Sequence, residues 1–287
     1  MEVSGYTRLA GFLANPAKHS ISPKMHNAAF QALGIDACYL AFEVETDELA
    51  AAIQSFRTFN LLGANVSMPF KKEACQYMDE LTPAARLIGA MNTIIPRENR
   101  LIGDNTDGKG FMASLKELSV DVLGKTITIL GNGGAALAIL CQAALDGVKK
   151  INLAVRHPQE KKALQEKIVE VKAQTAVVIE LLDIHDVVAM NSALAESTLL
   201  VNGTSVGMAG GPSGSPLASA VVIPNHVFVY DIIYHPRKTA LMLAAEKNGC
   251  STSNGLPMLL YQGAVAFEAW TGQKMPVAEI RAIVENS

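Results

Sequence analysis

The chain has 287 residues, of which 49% are apolar and 18% charged, with a formal net charge of −3. That length suits one large or two ordinary domains, and the weak negative charge gives no reason to expect a nucleic-acid or anionic-membrane partner. No uninterrupted apolar run reaches the roughly 18 residues of a membrane span, and the N-terminal stretch lacks a basic region followed by an apolar signal, so a cytoplasmic protein is expected.

Strands and helices alternate along the chain, the pattern of an α/β protein with mostly parallel sheets. Residues 9–14 form a short apolar strand, followed by the loop Asn15-Pro16-Ala17-Lys18-His19-Ser20-Ile21. Ser22 is placed as an N-cap with Pro23 at the first helical position, and Gly34 closes that helix. Residues 38–44 are a second strand, and 47–59 a helix with Thr46 as its cap. Residues 63–66 are a third strand, leading into Ser67-Met68-Pro69-Phe70-Lys71. Thr82-Pro83 opens a helix that ends near Gly89. A polar turn at Arg97-Glu98-Asn99 marks a hairpin, and Asp107 sits at the mouth of a helix running to about Leu118.

The run Thr126-Ile127-Thr128-Ile129-Leu130 is apolar and β-branched, hence a buried strand. Gly131-Asn132-Gly133-Gly134-Ala135-Ala136 matches G-x-G-x-x-A, and an Ala-rich helix follows to Leu145. Strand, glycine turn and helix together form the unit that presents a helix N-terminus to a pyrophosphate. Further strands are expected at 151–155, 176–182, 199–201 and 227–230, with helices at 159–172, 237–249, 255–270 and 276–285. This organisation gives an N-terminal α/β substrate domain (1–107 with 255–287) and a Rossmann-like, doubly wound dinucleotide-binding domain (108–254).

Cys38, Cys75, Cys141 and Cys250 are scattered without a C-x-x-C pair, so they are read as reduced and mostly buried. The histidines show no ligand-like cluster, and no metal is expected. His19 is read as a loop residue, Trp270 as core, and Met25, Met68, Met91 and Met258 as packing.

Lys71 follows an apolar strand and an S-x-P turn, and Asp107 lies in Gly103-Asp104-Asn105-Thr106-Asp107-Gly108. A lysine beside an aspartate can pass a proton to or from a hydroxyl, because each tunes the other's charge. Taken singly, Lys71 is equally a surface lysine beside Lys72, and Asp107 a helix cap. Ser20, Ser22, Ser67, Asn92 and Thr106 add polar groups in loops after apolar strands, suited to a ligand with several hydroxyls and a carboxylate. In Val155-Arg156-His157-Pro158 no acid follows the strand until Glu160, where a strict NAD binder places one for the ribose. Arg156 is either a ligand for a 2′-phosphate or adenine, or a solvated strand-end charge.

In order along the chain, Asn15-Pro-x-x-His19-Ser20-x-Ser22-Pro23, Asn65-Val66-Ser67-x-Pro69-x-Lys71, Gly89-Ala90-x-Asn92-Thr93 and Asn105-Thr106-Asp107-Gly108 resemble the signatures of the shikimate dehydrogenases. Asn202-Gly203-Thr204-Ser205-Val206-Gly207-Met208, Tyr230-Asp231 with Tyr234, and Gly255-x-x-Met258-Leu259-x-x-Gln262 extend the resemblance over nearly the whole chain. It implies a reversible hydride transfer between NAD or NADP and a ring carbinol of shikimate or quinate, giving 3-dehydroshikimate or 3-dehydroquinate. By the resemblance, Lys71 and Asp107 manage the proton. Ser20, Ser22, Ser67, Asn92, Tyr234 and Gln262 hold the substrate. Gly131, Asn132, Gly133, Gly134 and Ala135 cradle the pyrophosphate, and Val155, Arg156, His157 and Pro158 meet the adenosine end. Thr204, Ser205, Ile232 and Gly255 lie on the nicotinamide side.

Three positions depart from the common pattern. Val155-Arg156-His157 stands where biosynthetic members carry Asn-Arg-Thr, Ser67 where they carry threonine, and Asn132 where they carry alanine or serine. Ser67, Asn202-Gly203-Thr204, Leu259-Leu260-Tyr261-Gln262-Gly263 and Trp270-Thr271-Gly272 look closer to the quinate/shikimate branch. The leading expectation is therefore a quinate/shikimate dehydrogenase, monomeric or homodimeric, with no nucleic-acid or membrane partner. The alternatives are a strictly NADP-dependent biosynthetic shikimate dehydrogenase, a relative acting on another polyol acid or an amino analogue, and a regulator that binds ligand or nucleotide without turnover.

Overall fold

The computed structural model describes residues 3–285. Residues 1–2 and 286–287 of the expected first domain lie outside the described residues. The chain forms two compact units: one holds the residues up to Gly110 and those from Leu259 onward, the other Phe111–Met258.

The first unit is built on β1 (Arg8–Ala14), α1 (Ser22–Ala32), β2 (Ala37–Glu43), α2 (Leu49–Thr58), β3 (Gly63–Val66), β4 (Glu80–Leu81), α3 (Pro83–Ile88), β5 (Thr93–Arg97), β6 (Arg100–Asp104) and the start of α4 (Thr106–Glu117). Its sheet has the order β2-β1-β3-β5-β6-β4. β1 pairs parallel with β2 and β3, while β5 runs antiparallel to both β3 and β6. The hairpin joining β5 and β6 turns at Glu98 (φ 48°) and Asn99 (φ 63°), two left-handed residues whose twist matches the flanking strands. Leu13, Ile53, Phe56, Val66, Phe70, Ile94 and Leu101 belong to its buried core.

Local signals set the helix ends, with two corrections to the sequence reading. Ser22 is the first residue of α1 rather than its cap, because Ile21 before it already has helical dihedrals (φ −80°, ψ −15°); Ser20 Oγ accepts the Ser22 N–H at 3.2 Å. A 3-10 turn at Thr46–Glu48 precedes α2, and the cap is a box formed by Glu45 and Glu48 instead of Thr46. Glu45 is the extended residue (φ −76°, ψ 158°), as a cap must be, while Thr46 already lies in the turn. α3 opens at Thr82-Pro83 and ends at Gly89 as expected: Thr82 is its cap, with Oγ1 accepting the Ala85 N–H at 3.3 Å, and Gly89 closes the helix at φ 73°.

The second unit contains β7 (Thr126–Leu130), α5 (Gly134–Leu145), β8 (Lys150–Val155), α6 (Lys162–Gln174), β9 (Val178–Asp183), α7 (Val187–Glu196), β10 (Leu199–Asn202), β11 (Phe228–Asp231), α8 (Ala240–Lys247) and β12 (Thr252–Ser253). Its strands pair in parallel in the order β12-β11-β10-β7-β8-β9. Numbered from β7, this is the doubly wound order 3-2-1-4-5-6, with its switch point between β7 and β10. The sequence reading missed α7. Its start is nonetheless marked by Asp186, whose Oδ1 accepts the N–H groups of Val188 and Ala189 at 3.0 Å each. α6 begins later than expected because a 3-10 turn at Pro158–Glu160 comes first, and α8 begins at Ala240 because Thr239 is its cap.

Two helices close the chain, α9 (Leu256–Thr271) and α10 (Val277–Glu285). Trp270 on α9 is buried, and its Nε1 donates to the Ile94 carbonyl at 3.0 Å. Gly63 is what leaves room for it, since a Cβ at that position would overlap the indole ring. Met25, Met91 and Met258 are buried as expected. Met68 is not: it is 67% exposed, lying in the loop after β3 outside the core. The four cysteines are free, Cys141 and Cys250 buried and Cys38 and Cys75 half-buried.

Candidate active site

β3 and β6 end close together in the first unit and deliver the two residues expected to handle a proton. Lys71 lies in the turn after β3, and its main chain is tied down by the Met91 N–H, which donates to the Lys71 carbonyl at 2.8 Å. Asp107 is the second residue of α4 and receives no cap duty: its own N–H donates to Asn105 Oδ1 at 3.1 Å. The Lys71 Nζ stands 2.6 Å from Asp107 Oδ2, with the lysine side chain 26% and the carboxylate 14% exposed. Asn92 Nδ2 donates to the other carboxylate oxygen at 2.8 Å. The carboxylate thus has both oxygens engaged, while the ammonium keeps a solvent-accessible face. That is a geometry in which a bound hydroxyl can exchange a proton with Lys71 while Asp107 balances the charge.

Behind this pair lies a buried polar layer. Asn92 Oδ1 accepts from the Thr106 N–H (2.8 Å), the Thr106 hydroxyl (3.1 Å) and the Thr93 hydroxyl (2.9 Å). Asn65 Nδ2 donates to the Asn92 carbonyl and to Thr93 Oγ1, both at 3.2 Å. The Tyr39 hydroxyl donates to Asn65 Oδ1 at 2.8 Å, and it also interacts with Ser22. Burial pushes the Tyr39 phenol well above its ordinary range, so it remains a neutral donor. Below Tyr39 the His26 ring stacks at 4.5 Å and 18°. His26 is fully buried, and neither of its nitrogens has a hydrogen-bond partner. Burial lowers its pKa to about 3, with the neighbouring Asn65 side chain pulling weakly the other way, so the ring is neutral.

The other expected substrate residues of this unit sit at loop and helix positions. Ser67 follows β3 and is half-buried, its N–H donating to the Leu13 carbonyl at 2.9 Å. Ser22 is buried and Ser20 half-buried. Gln262 lies on α9, its Nε2 donating to the Leu259 carbonyl at 3.0 Å. Gly110 lies directly against Gln262, and a Cβ there would overlap the Gln262 backbone. His19 is exposed in its loop. Tyr234 belongs to the second unit, where it is 47% exposed after β11.

In the second unit, the glycine turn stands at the switch point. Gly131 takes φ 97°, and a Cβ there would come 2.8 Å from Thr204 Cγ2. Gly203 is equally constrained, since its Cβ would meet Ala136 Cβ at 2.7 Å. The two glycines let the loops after β7 and β10 pass against each other. Asn132, Gly133 and Gly134 are exposed, and nothing lies within 4 Å of a Cβ built on Gly134. The first-turn N–H groups of α5 therefore face an open ledge, which fits a pyrophosphate. At the end of β8, Val155 is buried, Arg156 and His157 are exposed, and Pro158 is buried. His157 adopts φ 52°, which turns the chain sharply after Arg156.

Thr204, Ile232 and Gly255 lie around a buried polar knot at the ends of β10 and β11, with Ser205 exposed in the loop after Thr204. Asn202 Oδ1 accepts the Thr204 N–H (3.0 Å) and hydroxyl (2.8 Å), while Asn202 Nδ2 donates to Asp231 Oδ1 at 3.0 Å. Asp231 also accepts the Thr239 hydroxyl at 2.7 Å and the Ile233 N–H at 3.1 Å. Burial raises its pKa above the ordinary carboxylate range, and those three donors counter the shift. Gly255 N–H donates to the Ile233 carbonyl at 3.0 Å, and a Cβ on Gly255 would overlap the Ile232 carbonyl oxygen. Asp231 and Thr239 were absent from the expected site residues. Their signal was a buried acid at a strand end followed by a Thr cap, which is readable only once the strand is placed. Tyr39, Asn65, Thr93 and His26 were missed for a similar reason: they support the site from beneath without lying in its loops. Among the described residues, no group of His, Cys, Asp and Glu is arranged to hold a metal, and no helix is long and apolar enough to cross a membrane.

Two family models match. Residues 12–94 match the shikimate dehydrogenase substrate binding domain, and residues 255–285 the shikimate 5′-dehydrogenase C-terminal domain. The chain is 45% identical over 286 residues to shikimate dehydrogenase (NADP+) of Lactococcus lactis subsp. cremoris, covering 100% of this chain and 99% of that one. The crystal structure of shikimate 5-dehydrogenase from Listeria monocytogenes, in complex with shikimate and NAD, superposes with a TM-score of 0.95 at 45% identity, covering 99% and 98% of the two chains. Quinate dehydrogenase from Corynebacterium glutamicum, in complex with NAD, superposes with a TM-score of 0.86 at 24% identity over 98% and 99%, a likeness of fold alone. With relatives this similar over its whole length, the chain belongs to the shikimate dehydrogenase family.

Proposed function

We propose that this chain is an NADP-using shikimate dehydrogenase, interconverting shikimate and 3-dehydroshikimate. The observation that carries the reading is the Lys71–Asp107 pair at 2.6 Å with Asn92 on the second carboxylate oxygen. In the oxidative direction, Lys71 acts as the neutral amine: it takes the proton of the reacting hydroxyl, and Asp107 holds it in place and balances the ammonium that forms. Asn92, Ser20, Ser22, Ser67 and Gln262 bind the remaining hydroxyls and the carboxylate. The nicotinamide supplies or takes the hydride when bound. Gly131, Asn132, Gly133, Gly134 and Ala135 hold the pyrophosphate against the N-terminus of α5, and Thr204, Ser205, Ile232 and Gly255 border the nicotinamide.

Substrate and cofactor preference follow the relatives at 45% identity, which are shikimate dehydrogenases (NADP+), ahead of the quinate/shikimate branch favoured by the sequence motifs. At the adenosine end the exposed Arg156 supplies a cation for a 2′-phosphate, and Pro158 stands where an NAD-selective acid would. A second reading, in which quinate is also oxidised, rests on Ser67 in place of threonine. Steady-state rates with shikimate and quinate, each against NADP and NAD, test both. Turnover highest with shikimate and NADP is expected. Quinate turnover of similar kcat/KM would favour the second reading, and ligand affinity without any change in nicotinamide absorbance would overturn both in favour of a non-catalytic binder.

A further inference from the structure

We propose that Thr93 is a positioning residue, the central member of a buried, one-directional hydrogen-bond relay that runs from Tyr39 through Asn65 and Asn92 to Asp107. The direction follows from which atoms can donate. The Asn92 main-chain carbonyl can only accept, so the Asn65 atom facing it at 3.2 Å is Nδ2, and Asn65 Oδ1 is left facing the Tyr39 hydroxyl at 2.8 Å. The second hydrogen of Asn65 Nδ2 goes to Thr93 Oγ1 at 3.2 Å. Thr93 Oγ1 faces two acceptors, Asn92 Oδ1 at 2.9 Å and Thr106 Oγ1 at 3.3 Å, and the shorter contact assigns its hydrogen to Asn92 Oδ1. The Thr106 N–H donates to the same Asn92 oxygen at 2.8 Å. With the Thr106 hydroxyl at 3.1 Å, three donors face Asn92 Oδ1, so the Asn92 amide presents Nδ2, not Oδ1, to Asp107.

The consequence is geometric. An Asn92 amide turned by half a rotation would place an oxygen against the carboxylate, a repulsive contact, and would leave Asp107 free to swing away from Lys71. Thr93 is fully buried, as is Thr106 beside it, and Asn65 and Asn92 are nearly so, so no solvent replaces a missing partner. In such a layer each lost hydrogen bond leaves an unsatisfied group behind it. The Thr93 hydroxyl is bonded to Asn65, Asn92 and Thr106, and it acts on Asp107 through Asn92.

The proposal rests on the reading of Lys71 and Asp107 as the proton-handling pair. The test pairs Thr93→Val, which keeps the shape and deletes the hydroxyl, with Thr93→Ser, which keeps the hydroxyl and deletes a methyl. The Thr93→Val enzyme is expected to lose about tenfold in kcat for shikimate oxidation, with its KM for NADP unchanged, while Thr93→Ser retains near wild-type kcat. Tyr39→Phe, which keeps the ring stacked on His26, is expected to lower kcat in the same direction by less. The Asn92 side-chain amide resonances, assigned by their loss in Asn92→Ala, supply a readout independent of turnover: they shift in Thr93→Val and stay in place in Thr93→Ser. A packing role for Thr93 predicts the reverse ranking, with Thr93→Ser no better than Thr93→Val. That ranking, or amide resonances unmoved in Thr93→Val, overturns the relay. A wild-type protein that does not turn over shikimate overturns the functional reading instead, and the amide resonances then decide the relay by themselves.

Discussion

Acidification should destabilise the first unit through His26 more than through any difference in its surface charges, and the size of the effect follows from its burial. The ring has no exposure, stacks on Tyr39 at 4.5 Å, and has no partner for either nitrogen. Burial holds its pKa at about 3 in the folded state, against 6.5 in an unfolded chain. Between those values the unfolded chain binds a proton that the folded chain refuses, so stability is full above 6.5 and declines as the pH falls toward 3. The decline is about 1.4 kcal/mol per pH unit, or about 2 kcal/mol by pH ~5. Trp270, the only tryptophan, lies 5.1 Å from His26 in the same unit, so its fluorescence reports the unfolding of this region. The measurement is urea unfolding of the wild type and His26→Phe at about pH 7.5 and about pH 5, with phenylalanine keeping a flat ring against Tyr39. The wild type should lose about 2 kcal/mol more than the variant between the two conditions, because every other titrating group is common to both. Equal losses would refute the argument that a neutral, unpartnered imidazole is locked beneath the site.

Three further outcomes are expected. Lys71→Ala should lower kcat by about 100-fold or more with little change in shikimate affinity, as for a proton-transfer group, and near-normal turnover would remove Lys71 from the mechanism. Arg156→Ala should raise the KM for NADP by roughly 10-fold while leaving that for NAD within about twofold, the pattern of a lost charge-assisted contact to the 2′-phosphate. Equal effects on both cofactors would assign Arg156 to adenine stacking or to solvent. Gly63→Ala should destabilise the first unit by roughly 1–3 kcal/mol, since its methyl must displace the buried Trp270 indole from its hydrogen bond to Ile94. Trp270 fluorescence during unfolding checks this, and an unchanged midpoint would mean that the indole has slack.

Much of the fold was readable because its signals are local. An apolar β-branched run, a glycine turn and an Ala-rich stretch specify β7, the loop and α5 without reference to anything distant. Thr82-Pro83 and Gly89 mark the two ends of α3 for the same reason. The errors arose where neighbouring residues compete for one role, as at Ser20, Ile21 and Ser22, or at Glu45 and Thr46, where backbone dihedrals decide which residue caps. α7 was missed although Asp186 marks its start, because its mixed small and apolar residues carry a weak period.

The composition of the candidate site stood in the sequence as motif residues, but their partnerships did not. Lys71 and Asp107 are 36 positions apart, and only the pairing of β3 with β5 and of β5 with β6 brings the ends of β3 and β6 close enough for a 2.6 Å contact. Sequence by itself determined the α/β class, the family and the chemical types available, because each of those is written in local pattern and residue identity. Tertiary structure alone decided that His26 is a neutral core group and that Tyr39, Asn65 and Thr93 form a layer beneath Asn92. Burial and hydrogen-bond direction depend on what surrounds a residue in space, and residues 26, 39, 65, 93 and 107 acquire those surroundings only when the sheet closes over them.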